Sequence, residues 1–592
     1  MCPRDEYSQR LAARELRVSE GERWHIRIGN LRLLLVIAGA AMAWLSFSRH
    51  AFSPWWLMVP ALWLAGLVVI HSRVLRAQLR AGRAAAVYRG GMARIDDRWA
   101  GTGQAGERFR DLPHTYAADL DIFGRGGLFE LLSNSRTRMG EDMLAQWLLS
   151  PAAENDIRER QEAVRELRGQ LDLREDLAVL GQEAGPGVHP EALLHWAEAP
   201  SRLEQKWIGR LAPLLALMAV GTATVWGVWG IKAPFFAVLS AEAIVAYRTR
   251  KHVEQVVHNA EHEFADLDLL SGVLARLEQE TFGAARLQAL ARELRSHQLP
   301  GSLAIARLRT IVQLSESRHH LILQVLDLPL MYSLLVALAA ERWRRSHGGA
   351  VRRWLQATGE IEALISLSTY SFEHPGDPFP ELVAGPPCFA GEELGHPLLP
   401  AAVCVRNDVS LSGATRVLLV SGSNMSGKST LLRTVGINTV LAMAGAPVRA
   451  RRLCLTPLRV GASIRVTDSL QGGSSRFYAE ISRLRKLFDL AAGNPPLLFL
   501  LDELLQGTHS SDRRIGAEGI LHALLRRGTI GLVSTHDLAL TDIRGPAGNE
   551  FRNMHFQDEF QNGAIHFDYK LRDGIVAKSN GLELMRSIGL EV

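Results

Sequence analysis

The sequence predicts a multidomain protein. It has an N-terminal transmembrane helical hairpin, an all-α middle domain with a second apolar hairpin, and a C-terminal α/β domain. A chain of 592 residues is too long for one hydrophobic core. Two paired apolar runs flanked by basic residues interrupt its first half. Near its end, β-type runs alternate with helical segments, at 403–405, 417–420, 497–501 and 529–533. The predicted units are 1–73 (cytoplasmic tail and first hairpin), 74–118 (linker), 119–370 (helical domain, with the second hairpin at 211–247) and 375–592 (α/β domain).

Composition is that of a folded chain, since 47% of the residues are hydrophobic and 22% are charged. The net charge of +5 is small for this length and favours nucleic acid only weakly as a partner. The four cysteines have neither metal-ligand spacing nor the density of a disulfide framework, which favours a reducing compartment. Residues 1–27 are polar and charged, so no cleavable secretory signal is predicted.

Two apolar runs near the N-terminus, 33–47 and 55–70, are separated by a short polar break. Each is somewhat shorter than the ~20 residues of a spanning helix, but tryptophans at their ends suit a membrane interface. Arginines flank the pair on both outer sides, which places both ends in the cytoplasm by the positive-inside rule. The alternative is a buried helical hairpin in a soluble core.

A second apolar pair covers 211–231 and 233–247, separated by Lys232 and again flanked by basic residues. Glu242 weakens the second run, because an ionisable group in a bilayer is costly. If both pairs insert, everything after 248 lies on the cytoplasmic side. The prediction is a multi-pass protein of the cell inner membrane with its C-terminal domain in the cytoplasm.

Two soluble helical stretches, 119–180 and 253–367, surround the second hairpin. The first has apolar residues with amphipathic spacing, such as Leu144 and Leu148. The second is rich in Leu, Arg and Glu and poor in Pro and Gly, which predicts long helices packed as levers or bundles. Its charge runs are most simply solvated faces.

A glycine-rich stretch, 420–430, follows an apolar run and precedes a segment that reads as helix, 431–443. It fits the pattern G-x-x-x-x-G-K-[ST], in which backbone N–H groups surround a phosphate at a helix N-terminus. A strand before the pattern and a helix after it are the context that supports a phosphate loop. The alternative is an ordinary glycine-rich turn.

In such a loop Lys428 reaches the β- and γ-phosphates, and the Ser429 hydroxyl helps to hold Mg²⁺. The predicted ATP-binding residues are Gly422, Ser423, Asn424, Met425, Ser426, Gly427, Lys428, Ser429 and Thr430.

The apolar run 497–501 ends in two acids, Asp502 and Glu503. A buried strand that delivers Asp502 to its carboxyl end supports Mg²⁺, and Glu503 is placed to polarise an attacking water. The alternative is a core strand that ends in a solvated acidic pair. A further apolar run leads to His536, which could sense the γ-phosphate or orient the water; the alternative is a structural histidine. Glu503 and His536 are the predicted catalytic residues.

A second glycine- and serine-rich stretch, 469–480, starts the helical run 477–490. It is a second candidate anion site, and the alternative is a plain helix start. One active site needs one phosphate cradle, so the second stretch suits a head-to-tail dimer in which each subunit contacts its partner's γ-phosphate.

The C-terminal domain, from about 379 onward, resembles the ATPase of the MutS DNA mismatch repair family, a branch of the ABC-type fold. The helical stretch resembles the core domain of that family. The motifs that carry the resemblance lie at 137–140, 147–151, 157–164, 395–399, 407–408, 421–430, 502–512, 534–536, 567–571, 574 and 579–581.

The resemblance implies an ATP hydrolase with ATP and Mg²⁺ as cofactors, Ser475 acting in trans, a homodimer formed through the ATPase domain, and mismatched or structured DNA as partner. Repair members carry a mismatch-reading domain with a Phe-x-Glu wedge and a connector domain ahead of the core. Residues 71–118 are too few for either. The chain thus resembles a membrane-anchored variant without the mismatch-reading domain, and Arg476 stands where repair members usually have a small hydroxyl residue.

The leading interpretation is a membrane-anchored ATPase that couples ATP binding and hydrolysis at a dimer interface to DNA binding. The first alternative is a membrane-associated, ATP-switched scaffold or transport-like machine without a DNA role. The second is a nucleotide-binding interaction module without turnover.

Overall fold

The computed structural model describes residues 2–49, 51, 53–110, 114–183, 190–200, 207–263, 267–295, 299–318, 320–465, 476–506, 509–545, 548–561 and 564–576. Within these residues, the chain is helical up to Glu373, and strands alternate with helices after it. The predicted division into a helical N-terminal region and an α/β C-terminal region is confirmed.

An antiparallel pair of long helices opens the chain: α1 (Pro3–Arg49) and α2 (Met58–Ile95), joined through a 3₁₀ turn at Pro54–Leu57. Gly39 of α1 faces Pro60 of α2 near this turn, and Gly21 faces Gln78 farther from it. The apolar runs form only the half of the pair next to the turn. We call the other half, roughly residues 3–31 and 72–95, the stalk.

The stalk differs from the linker that the sequence predicts at 74–118. The first part of that predicted linker is helical instead, because helix α2 continues as far as Ile95 and no proline follows Pro60 within it. Polar contacts then fix the stalk to the helical domain. Arg94 Nε donates a hydrogen bond to Glu373 Oε2 at 2.7 Å, and Tyr7 Oη donates to Glu373 Oε1 at 3.2 Å.

The helical domain begins with short amphipathic helices whose apolar faces are buried together. The Thr137 hydroxyl accepts a hydrogen bond from Gly140 N and so caps the second of them. These helices are α3 (Leu128–Leu132), α4 (Arg138–Leu149), α5 (Glu154–Leu167), α6 (Leu171–Glu183) and α7 (Pro190–Glu198).

The second apolar hairpin and the helices after it complete this region. The last helix has 42 residues, about 63 Å at 1.5 Å per residue, and is one of the long helices that the sequence predicts. We call it the lever. The helices are α8 (Ile208–Trp229), α9 (Ala233–Glu263), α10 (Leu267–Gln279), α11 (Ala285–Arg295), α12 (Gly301–Ser317), α13 (Leu321–Leu330) and α14 (Tyr332–Glu373).

Three of the described helical segments are long and apolar enough to cross a membrane: Pro3–Arg49, Pro54–Ile95 and Ile208–Trp229. Helix α9 is not among them, and it contains the fully buried Glu242. A fourth candidate is the pair α13 and α14, bent by 72° at Met331. Sequence reasoning did not single out that pair, because it treated the whole stretch as soluble levers.

The C-terminal region contains two sheets. Its strands are β1 (Glu381–Leu382), β2 (Phe389–Leu394), β3 (Asn407–Leu411), β4 (Val417–Ser421), β5 (Arg452–Leu455), β6 (Arg459–Ser463), β7 (Leu497–Asp502), β8 (Ile530–Thr535), β9 (Phe551–Gln561) and β10 (Ala564–Asp573). The smaller sheet has the order β1-β5-β2-β3, and the larger has β10-β9-β4-β8-β7-β6. In the larger sheet only β10 is antiparallel to its neighbour. The helices are α15 (Lys428–Ala444), α16 (Arg476–Leu490) and α17 (Ser510–Arg526).

The larger sheet separates two hydrophobic cores. Alternate residues of its strands face α15 and the helical domain on one side and α16 with α17 on the other. The β-type run predicted at 403–405 is wrong: it forms a turn in which Val403 N donates to Pro400 O, and the strand begins only at Asn407.

Candidate nucleotide site

The phosphate-loop stretch lies between β4 and α15, as the sequence predicts. All five residues of β4 are buried, which fixes the start of the loop at the carboxyl edge of the sheet. Met425 (φ 67°) and Gly427 (φ 104°) have left-handed backbone conformations. At Gly427 a Cβ would lie 3.1 Å from the ring of Tyr569, so both the turn and the close approach favour glycine. The loop is thereby curled at the N-terminus of α15.

Lys428 is buried beneath this loop. Its Nζ donates hydrogen bonds to the carbonyl oxygens of Gly422 and Ser423, both at 2.8 Å. Burial lowers the pKa of Lys428, while the nearby carboxylates of Glu503 and Asp502 act in the opposite direction. The ammonium group thus lies between the loop and the acids of the neighbouring strand.

The hydroxyls of Ser423 and Ser426 are buried and have no hydrogen-bond partner among the described residues. Buried polar groups without partners are uncommon in folded proteins. Two such hydroxyls beside Lys428 and a helix N-terminus form a donor set that suits phosphate oxygens.

A cavity of about 470 Å³ opens over the loop. It is lined by residues of the loop and by the apolar side chains of Leu399, Val403 and Val405. A lining that combines polar loop groups with apolar side chains suits a nucleotide, which has charged phosphates and a largely apolar base. Most of the predicted ATP-binding residues line it: Asn424, Met425, Ser426, Gly427, Lys428, Ser429 and Thr430.

Asp502 ends β7 beside the end of β8. The Ser534 hydroxyl donates a hydrogen bond to the Asp502 carboxylate, and Glu503 N donates to Ser534 O at 3.2 Å. Glu503 has a left-handed backbone (φ 52°), which turns its side chain away from the strand direction. It lines the same cavity as Lys428.

His536 follows β8 and lies beside Glu503. The two atoms His536 Nδ1 and Glu503 Oε1 are 3.5 Å apart, and the amide of Gln506 donates to the same carboxylate. The structure thus brings together Lys428, Asp502, Glu503 and His536, which three separate motifs contribute. Ser475 lies outside the described residues.

Sequence reasoning missed two side chains whose hydrogen bonds fix the backbone next to these groups. Glu480 of α16 is buried and accepts a hydrogen bond from Leu505 N at 2.6 Å, just after the two acids. Asn407 Nδ2 donates to Tyr569 O at 2.9 Å, which places that ring over the phosphate loop. Both partners lie far apart in sequence, and only the motif around Asn407 gave a signal.

A larger cavity, about 1,040 Å³, lies between the stalk, α6 and α10. Two of its arginines are ion-paired: Arg14 with Glu175 at 2.8 Å and Arg276 with Asp176 at 2.6 Å. It is remote from the phosphate loop, so size alone does not mark it as the nucleotide site.

Comparison with known proteins places the chain in a family. Residues 418–591 match MutS domain V, and residues 113–183 match MutS domain III. The chain thus contains two domains of the MutS family. The domain V match contains every predicted site residue, whereas both apolar hairpins lie outside the two matched ranges.

Several curated MutS relatives match part of the chain. Endonuclease MutS2 of Thermus thermophilus is 37% identical over 197 residues, which are 33% of this chain and 25% of that protein. DNA mismatch repair protein MSH6 of Arabidopsis thaliana is 31% identical over 258 residues, covering 40% and 19%. DNA mismatch repair protein MutS of Lactococcus lactis is 30% identical over 271 residues, covering 44% and 31%. The matches span less than a third of each of these relatives.

Proposed function

We propose that this chain is a membrane-anchored ATPase of the ABC type, in which two subunits bind and hydrolyse ATP between them and couple that cycle to DNA binding. The observation that carries the proposal is the single cavity that contains Lys428, the phosphate-loop backbone and Glu503, with His536 beside it. No other part of the described chain combines a curled loop, a buried lysine and two acids at a sheet edge.

The residues present suit ATP with Mg²⁺. The loop N–H groups and Lys428 bind the phosphates, and Ser429 with Asp502 would hold the ion, which supplies neutralising charge to the phosphate oxygens. Glu503 accepts a proton from, and orients, the attacking water. His536, next to Glu503, limits the directions in which that carboxylate can turn.

A dimer through the ATPase domain is supported by exposed apolar side chains of that domain, one of which lines the cavity. Met425 of the loop, Tyr478 at the start of α16, Ile515 of α17 and Leu538 are all exposed, although each belongs to a domain with a well-formed core. Exposed apolar side chains of this kind suit a partner surface. The likeness to MutS proteins suggests a second copy of this chain as the partner, with Ser475 acting on the neighbouring nucleotide.

Membrane anchoring is supported by the outward-facing apolar side chains of the first hairpin. Leu33, Leu34, Ile37, Trp55 and Trp63 are each more than half exposed. Such a surface would be unfavourable in water and suits lipid. Arginines at both outer ends of the hairpin support, by the positive-inside rule, an ATPase domain in the cytoplasm beneath the inner membrane.

DNA is the proposed partner because two of the relatives are named as DNA mismatch repair proteins. Purified protein in nanodiscs is expected to bind duplex, mismatched or branched DNA, with an affinity that falls as salt rises, as contacts to phosphates require. Absence of binding at low salt to every DNA form would reject this part. An ATP-switched scaffold or transport-like machine would then be the better description.

Turnover is tested with Glu503→Gln. The variant is expected to bind ATP and to dimerise like the native protein, while hydrolysis falls about 100-fold or more, since the carboxylate that takes the proton is gone. Glu381→Gln changes an exposed glutamate of the same region and is the matched control. Equal hydrolysis by native protein and Glu503→Gln would refute the assigned base.

A further inference from the structure

A segment of the helical domain lies against the edge of the nucleotide-binding sheet. Thr115 O accepts a hydrogen bond from Ala462 N of the edge strand β6 at 2.9 Å. The side chain of Leu120 packs on Gly436 of α15, where an added Cβ would lie only 2.7 Å from it. The segment is thus wedged between β6 and the helix that starts at the phosphate loop.

Asp119 in this segment is fully buried and joins β6 to α16. Its Oδ1 accepts hydrogen bonds from Ile464 N at 2.9 Å and Arg465 N at 2.6 Å, and its Oδ2 accepts from the guanidinium of Arg483 on α16. Arg483 also donates to Arg465 O at 3.1 Å. One carboxylate from the helical domain therefore fixes the end of β6 against α16.

Asp121 extends these contacts to the phosphate-loop helix. Its carboxylate accepts two hydrogen bonds from Arg465, at 2.5 and 3.1 Å, and lies 3.7 Å from Arg433 Nη1. Arg433 is on α15, one turn and a half after Lys428. The backbone of Asp121 is left-handed (φ 51°), which directs its side chain toward both arginines.

We propose that Asp119 and Asp121 are positioning residues through which the helical domain controls ATP turnover. They hold three elements in one arrangement: α15 with the phosphate loop, the end of β6, and α16. In the sequence, Arg465 and Arg483 stand on either side of Ser475. The proposal rests on the function proposed above, because it concerns the alignment of two half-sites across a dimer.

The mechanism predicts a separation of binding from turnover. Neither aspartate lines the nucleotide cavity, so ATP binding to one subunit does not need them. Completion of the site by the partner does require that α16 and β6 keep their positions relative to α15. A tilt of the helical domain would change these relative positions, because the aspartates move with that domain while the three arginines belong to the ATPase domain.

The test is Asp121→Asn in the full chain in nanodiscs. Asparagine tolerates the left-handed backbone and keeps the shape, so only the charge is lost. We expect kcat for ATP to fall about tenfold, as misplacement of reacting groups does. We expect the ATP dissociation constant, measured with a fluorescent analogue, to stay within about twofold because no cavity contact changes.

Arg452→Gln is the matched control, since it breaks an exposed ion pair with Glu381 in the same region. Arg465→Gln and the double variant Asp121→Asn/Arg465→Gln complete a cycle. If the pair acts as one unit, the double variant loses no more turnover than Arg465→Gln alone.

Two outcomes would overturn the proposal: unchanged kcat in Asp121→Asn, or a loss of turnover matched by an equal loss of ATP affinity. Both outcomes can be distinguished from failure of the proposed function. If the proposed function fails, the native protein itself shows no ATP hydrolysis that depends on Lys428.

Discussion

The nucleotide-binding sheet and the first helix pair arrange the same kinds of residues in opposite ways. In β4, β7 and β8 the apolar side chains are buried, and polar groups collect at the carboxyl edge facing water. In the half of α1 and α2 next to their turn, the large apolar side chains face outward. The polar contact lies inside, where His71 Nδ1 is 2.7 Å from Arg32 Nη1. The proposed membrane anchor would account for this difference, because the hydrophobic effect buries apolar side chains where water surrounds the sheet and exposes them where lipid would surround the hairpin.

The largest expected effect is on ATP turnover, and it comes from a substitution at the polar edge of the sheet. Lys428→Ala removes the ammonium group that reaches the phosphates, and ATP turnover is expected to fall about 100- to 1,000-fold, the usual cost of losing one fixed charge-stabilising donor. Lys486→Ala, on the exposed side of α16, is the control and should retain activity. Turnover by Lys428→Ala at the native rate would mean that the cavity over the loop is not where ATP reacts.

The next largest effect is expected from a substitution on the outward-facing apolar side of the first hairpin. Leu34→Lys places a charge on the exposed apolar half of α1, and insertion of the hairpin should become less favourable by about 2 kcal/mol, less than at the centre of a spanning helix because Leu34 lies near the end of the apolar run. Leu16→Lys changes an equally exposed leucine of the same helix, but on the stalk, and should have little effect. The measurement is the fraction of protein that stays in membranes after carbonate extraction. Equal fractions for both variants would mean that this face does not meet lipid.

The two regions also differ in how far the sequence predicts them. The phosphate loop, Asp502, Glu503 and His536 follow from short motifs, because the carboxyl ends of parallel strands meet at one edge. The stalk is not predicted, since its mixed pattern of alanine and arginine gives no clear helical face. The bend at Met331 and the contacts of Glu480, Tyr569 and Asp119 depend on packing between distant segments, which local patterns do not encode.

A buried acid of the lever α14, Glu362, adds a third case to the comparison, because it lies inside the helical domain with Arg136 as a nearby opposite charge. Burial raises the pKa of Glu362 from its ordinary value of 4.5 to about 7, although hydrogen bonds from Thr137 oppose this change. The folded protein therefore holds this proton more tightly than the unfolded chain. The resulting stability is complete below about pH 4.5 and is lost as the pH rises to about 7.

Glu362→Gln removes this dependence. At pH 8 the variant is expected to be more stable than the native protein by about 2 kcal/mol. Each tenfold change in the acid dissociation constant corresponds to ~1.4 kcal/mol, and an amide group without a partner offsets part of the gain. Urea unfolding at pH 5 and pH 8 measures the difference. Native protein and variant that respond identically to pH would show that Glu362 is charged in the fold.

The smallest expected effect concerns the contact between the stalk and the C-terminal end of the lever. Tyr7→Phe removes the hydrogen bond to the buried carboxylate of Glu373 and should cost about 1 kcal/mol of unfolding free energy. Arg94 still pairs with Glu373, so no buried charge is left without a partner, which keeps the loss small. Tyr247→Phe, at an exposed tyrosine, should cost nothing. If Tyr7→Phe is also neutral, the stalk is held by Arg94 and by apolar packing, and the hydroxyl adds no strength to the link between hairpin and lever.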